Sequence, residues 1–355
     1  MKNGRRLPDV LTELKAQNQR KRDFIVPATQ MTLLEDGETF QVLDEARGMM
    51  DLFQMSDLAH RQIGSALGIP AKYYDLMAAQ KPELLAANVN EWLGERPNSY
   101  MLRSFAGPME NILRAFLSDK YRRIDNLEIA LNVLPLFSGC DDYEIVSTEI
   151  TERRFYLKII NHRLEKEVTP GDYVQAGVVV SNSEVGLGAV SVQPLLYRLV
   201  CTNGMIVNDF GERKNHIGRT TKAIEESYQI YSDETIEAED KAFLLKLRDT
   251  TMAAIDETRF GMVVGKLQES VGIPIKGRVQ DVIELTSKSY GLNQPEQDSI
   301  LEYLIQGGDL TKYGLSNAIT RASQDILSYD RATELEGIGW QVATMPASQW
   351  KALNE

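Results

Sequence analysis

The chain has 355 residues, 43% of them hydrophobic, which is enough to bury one large core or two to three smaller ones. No window reaches the ~18 consecutive apolar residues of a membrane span, and the opening MKNGRRLPDV lacks the apolar segment of a secretory signal; a cytoplasmic protein with no membrane partner is expected. Two cysteines, Cys140 and Cys201, exclude a disulfide framework and cannot alone make a zinc site, so both read as small apolar residues.

The formal net charge of −12 argues against a nucleic-acid partner for the chain as a whole, but the charge is unevenly spread. Residues 1–22 hold seven basic against two acidic side chains, 23–100 five against twelve, 101–222 fifteen of each, and 223–355 twelve against twenty-two. That divides the chain into a basic N-terminal arm (1–22), an α+β core (23–219) and an acidic, mostly helical region (220–355). A local basic groove is compatible with an acidic whole.

In chain order, the arm carries Arg5, Arg6, Lys15, Arg20, Lys21 and Arg22, and the spacing of Val10, Leu11 and Leu14 allows one short helix. It reads as a partly disordered segment, either phosphate-seeking or merely solvated. Residues 24–58 contain FIVPATQMTLL and ETFQVL around Glu35-Asp36-Gly37, a hairpin pattern. Residues 56–77 read as two short helices, with Ser56 as N-cap, Gly68 as the stop, Pro70 as the second entry and an inward set of Ile63, Leu67, Ile69, Tyr74 and Met77. The spacing resembles a helix-turn-helix. The exposed face of its second helix would offer one positive charge, Lys72, in an acidic segment, which favours simple packing on a sheet over reading of duplex DNA.

PELLAANVNEWLGE is helical, SYMLRSF and the region of Leu113, Ala115 and Phe116 are strand-like, and Asp125 or Asn126 caps a helix through Leu134. Between them lies Lys120-Tyr121-Arg122-Arg123, which reads as a backbone-tracking, base-stacking contact or as a solvated turn. Residues 141–206 alternate as strands: Phe155, Leu157 and Ile159 face one way, Tyr156, Lys158 and Ile160 the other, and turn clusters stand at Pro170-Gly171-Asp172 and Ser181-Asn182-Ser183. A central, mostly antiparallel sheet flanked by helices is therefore expected. Residues 220–267 read as one or two long helices, and the tail as two or three short ones joined at Gly307-Gly308 and Gly314, with Asn293 or Gln294 as a helix entry before Pro295.

Catalytic chemistry finds little footing. His60, His162 and His216 are widely separated and no HExxH, Walker, GxSxG or dinucleotide pattern occurs; no cofactor is expected. Asp172 and Glu184 are the candidate carboxylates for a magnesium-dependent nuclease. What remains is binding. Residues 120–123, Arg198, and a basic exit comprising Arg213, Lys214, His216, Arg219 and Lys222 would form a groove flanked by Tyr121, Tyr197 and Phe210 if they share a sheet edge. Arg198, inside LLYRLV, reads equally as a buried ion-pair partner, for instance of Glu184.

The stretches RAFLSDKYRRIDN (114–126), QAGVVVSNSEVGLGAVSVQPLLYRLVCTNGM (175–205), NHIGR (215–219) and SNAITRASQDILSYDRATELEGIGW (316–340) resemble, in this order, the phage- and plasmid-borne family known as domain of unknown function 932. The resemblance runs from about residue 50 to the end. It implies a mobile-element protein in a bacterial host cytoplasm, and carries no activity over to single residues. The expected function is non-enzymatic binding of single-stranded DNA, with strand annealing as a homo-oligomer. Lys120, Arg122, Arg123, Arg213, Lys214, His216 and Arg219 would hold phosphates and Tyr121 would stack a base. The alternative is a protein-binding or structural role, such as inhibition of a host defence protein.

Overall fold

The computed structural model describes residues 1–44, 48–121, 123–208, 212–214 and 233–354. The fold is α+β, with two mostly antiparallel sheets and a helical C-terminal region. The expected single sheet is thus two. Pairing between strands far apart in the chain separates them, and local alternation does not encode it.

The first sheet has the order β1-β5-β6-β4-β3-β2, from β1 (Lys21–Pro27), β2 (Met31–Leu33), β3 (Thr39–Asp44), β4 (Met49–Met55), β5 (Ser99–Phe105) and β6 (Asn111–Ser118). Only β4 and β6 run parallel. The hairpin at Glu35-Asp36-Gly37 is present: Gly37 takes a positive φ of 72° and the Asp36 carboxylate accepts from the backbone N–H of Glu38 and Thr39. One face of this sheet is covered by α2 (Asp57–Leu67), α3 (Ala71–Gln80) and α4 (Pro82–Gly94). Ser56 caps α2 through its hydroxyl, Gly68 ends it with a left-handed φ of 77°, and Ile63, Leu67, Ile69, Tyr74 and Met77 are all buried. The helix pair therefore packs on the sheet, as its charge pattern indicates.

The second sheet has the order β11-β10-β9-β8-β7, with β12 also paired to β10. Its strands are β7 (Tyr143–Ile150), β8 (Phe155–Thr169), β9 (Asp172–Asn182), β10 (Val190–Arg198), β11 (Asn203–Ile206) and β12 (Glu212–Lys214). Phe155, Leu157 and Ile159 face Val178, Val180, Val190 and Val192 in one apolar layer beneath α1 (Leu7–Arg20), α5 (Asn126–Val133) and α6 (Asp233–Ala254). The opposite face lies against α10 (Lys312–Ala322) and α11 (Tyr329–Ala343), with α7 (Glu257–Gln268) close by.

Residues 1–20, in the arm expected to be partly disordered, pack against this unit. Val10 and Leu14 enter the apolar layer, Met1 is buried against Ile160, Val179, Leu195 and Ile206, and Arg5 pairs with Glu13 and Glu149. The apolar spacing that allows a helix also gives it a face to bury. The tail from residue 294 to 342 holds three helices, α9 (Gln294–Gly307), α10 and α11, in line with the two or three expected; α8 (Val279–Tyr290) precedes them and α12 (Ala347–Asn354) follows. Gly308 ends α9 at a φ of 67°, whereas Gly314 lies within the first turn of α10 and breaks nothing. There a Cβ would meet the Asp309 carbonyl oxygen at 1.8 Å, so close backbone approach is what requires glycine.

Candidate nucleic-acid interface

The two sheets meet at a polar junction built from both. Arg103, in the middle of β5 and wholly buried, donates from Nη1 to the Glu184 carbonyl (2.9 Å) and from Nη2 to Asp23 (2.9 Å) and Asp125 (2.7 Å). Glu184, just beyond β9, accepts from Arg114 Nη1 at 3.1 Å and from the backbone N–H of Asn126 at 2.7 Å. Asn182 donates to the Ile124 carbonyl and to Asn126 Oδ1, and Lys21 closes the ring on Asp125. Burial opposes the charge on Arg103, but Asp23, Glu184 and Asp125 overcome it and raise its pKa. Burial likewise works against the Asp125 carboxylate, yet Arg103 and Lys21 hold it below the usual carboxylate range. Burial dominates at Arg114 and lowers its pKa against the pull of Glu184.

Sequence reading misses Arg103, although the signal is the same one that marks Arg198: an arginine inside an apolar strand, YMLRSF. Such a side chain needs a counter-charge. Phe105, two residues on, lies between two guanidinium groups, with Arg114 at 3.9 Å and Arg20 at 5.3 Å from its ring centroid.

The junction also anchors the two basic stretches. Tyr121 Oη donates to the Ser183 carbonyl at 2.9 Å. In β9, Ser181 is in register with Ser191 of β10, and Ser191 with Arg213 of β12. Residues 120–121 and 213–214 therefore reach one end of the second sheet, β12 lying two strand spacings from β9, about 10 Å. Lys120 and Arg123 are exposed and make no ion pair among the described residues. Tyr121 is half-buried beside Met101, Ala115, Leu117 and Val185, and burial raises its hydroxyl pKa; the ring is part of the junction's packing. Arg213 and Lys214 are placed through their backbone, while Arg122, Phe210, His216, Arg219 and Lys222 lie outside the described residues.

Arg198 is indeed an ion-pair partner, but of Asp172 rather than Glu184: Nε and Nη2 both reach the carboxylate at 2.7 Å, and Tyr313 Oη donates to the same group at 2.7 Å. Asp172 opens β9 and Glu184 lies beyond its other end, so the strand holds them apart and each carboxylate is already taken by an arginine. Among the described residues no group of three or more His, Cys, Asp or Glu side chains is arranged to hold a metal. Cys140 and Cys201 are free and half-buried. No described helix is long and apolar enough to cross a membrane.

The junction takes up its own carboxylates. Asp23, Asp125 and Glu184 face Arg103, Arg114 and Lys21, while the exposed Arg20, Lys120 and Arg123 pair with no described carboxylate. The local field is positive on an acidic chain. No curated protein and no solved structure matches this chain. The stretch at 316–340 lies beyond the span that a family model matches. That span includes the junction's Asp125 and Glu184, the second sheet and α6: residues 115–262 match the Domain of unknown function (DUF932), the family that the signature stretches resemble.

Proposed function

We propose that this chain is a non-enzymatic DNA-metabolism protein of a mobile element that binds single-stranded DNA along its phosphate backbone, next to the junction of the two sheets. The observation that carries the reading is the set of exposed cations Arg20, Lys120 and Arg123 near carboxylates already neutralised from within. The backbone of Arg213 and Lys214 runs at the end of the second sheet, and Arg122, His216 and Arg219 belong to the same two basic stretches of the sequence. Base stacking by Tyr121 is disfavoured by its hydroxyl's bond to Ser183, and the Phe105 ring is already covered by Arg114, so the reading rests on phosphate contacts. Strand annealing by a homo-oligomer is the role that suits such a protein. Filter binding of a labelled single-stranded oligonucleotide across a salt series tests it: affinity should fall steeply with salt, and no binding at low salt contradicts the reading.

A second reading, a protein partner or self-assembly, is favoured by one observation. Met50, Leu52 and Ile112 are each about half exposed on one face of the first sheet, where Ile112 is in register with Gln54. Light scattering on a Leu52→Lys/Ile112→Lys double variant separates the two: loss of an oligomer without loss of DNA binding assigns the patch to assembly.

A further inference from the structure

A second cleft lies between the second sheet and α11, and the DNA reading leaves it unused. Its volume is about 440 Å³, within the range of small-molecule sites. Its floor is unusual for a sheet interior. On the face away from the apolar layer, buried Ser181, Ser191 and Gln193 form a hydrogen-bonded row: Ser181 Oγ to Ser191 Oγ at 3.1 Å, Ser191 Oγ to Gln193 Oε1 at 3.4 Å, and Gln193 Nε2 to Asn208 Oδ1 at 2.7 Å. The last donor, Asn208 Nδ2, reaches the Gly337 carbonyl at 3.5 Å among the described residues. Burying three neutral polar side chains in place of valines is costly, and here the row opens into a cavity.

The walls are charged in a selective way. Asp330 accepts from Tyr156 Oη at 2.7 Å, and Glu334 is paired with Arg331. Arg153 and Arg154 have no carboxylate partner among the described residues; Arg154 donates to the Leu187 carbonyl and Arg153 is exposed. The cleft thus offers at its rim two guanidinium groups without a carboxylate partner among the described residues, Arg154 held by the Leu187 carbonyl and Arg153 exposed, and an uncharged donor and acceptor row at its floor. The complement is an anionic head on a neutral body with hydrogen-bonding edges. We propose that this cleft binds a nucleoside monophosphate, its phosphate at Arg153 and Arg154 and its base edge at Gln193 and Asn208.

The inference stands independently of the single-stranded DNA site, so its test uses mononucleotides. Titration calorimetry on the full chain with the four deoxynucleoside monophosphates should show binding of at least one at millimolar concentration or below, with ribose 5-phosphate at least about tenfold weaker. Arg153→Ala, an exposed change that leaves the core alone, should weaken the nucleotide about tenfold or more. Gln193→Leu should bring the nucleotide down to the affinity of ribose 5-phosphate, and Lys120→Glu/Arg123→Glu should leave it unchanged. The proposal is overturned if no mononucleotide binds, if ribose 5-phosphate binds equally well, or if Arg153→Ala has no effect.

Discussion

Single side chains carry much of the specificity of this fold, and the buried charges show how. Lys158, on the strand face opposite Phe155, Leu157 and Ile159 as expected, is wholly buried with Glu336 at 2.6 Å and packs 4.8 Å from the Tyr329 ring centroid. Removing one partner leaves an uncompensated charge, so Glu336→Gln should destabilise the protein by about 3–5 kcal/mol in urea unfolding. Lys158→Met combined with Glu336→Leu should recover most of that loss; a double variant as unstable as the single one contradicts the account. Asp125 supplies a pH test. Its folded pKa is depressed, so its stabilisation is complete above the unfolded value of about 3.9 and is lost as pH falls through the folded value. Asp125→Asn should therefore lower the urea midpoint at neutral pH and flatten its fall below about pH 4. An unchanged acid limb would rule out this role.

At the scale of elements, the readable features are those written locally. The caps Ser56 and Asn293, the stops Gly68 and Gly308, and the alternation of β8 all follow from side-chain chemistry at fixed spacing. Asn293 goes further than a simple entry signal, since it forms a capping box with Glu296, whose carboxylate also meets Arg331 of α11. Asn293→Ala should cost about 1 kcal/mol in thermal or urea unfolding, and Glu296→Ala more, because it also strips Arg331 of a partner. What is not written locally is which strand meets which. β1 pairs with β5 across some eighty residues, and the parallel contact of β4 with β6 spans the three-helix layer. The split into two sheets and the burial of the N-terminal segment follow from those pairings. For the same reason the basic stretches are legible in the sequence as composition, while Arg103, Phe105 and Arg20, which give them a common setting, become visible only once β1, β5 and β9 are brought together.

For the molecule as a whole, charge is partitioned rather than averaged. Acidic residues dominate the first sheet's segment and the C-terminal helices, whereas the junction absorbs Asp23, Asp125 and Glu184 internally and leaves cations outside. An acidic chain can thereby present one basic surface to a polyanion. Arg103→Met should separate the effects of architecture from those of binding, since it removes the buried cation shared by both sheets; a loss of about 3–5 kcal/mol is expected in urea unfolding. The most direct test of the central claim is the salt dependence of single-stranded DNA binding in the parent protein and in Lys120→Glu/Arg123→Glu. If these side chains contact phosphates, the double variant should bind more weakly and its slope of log affinity against log salt should be shallower by about 1.4, roughly 0.7 per lost contact. Equal affinity with an unchanged slope would contradict the placement of the DNA backbone at this junction.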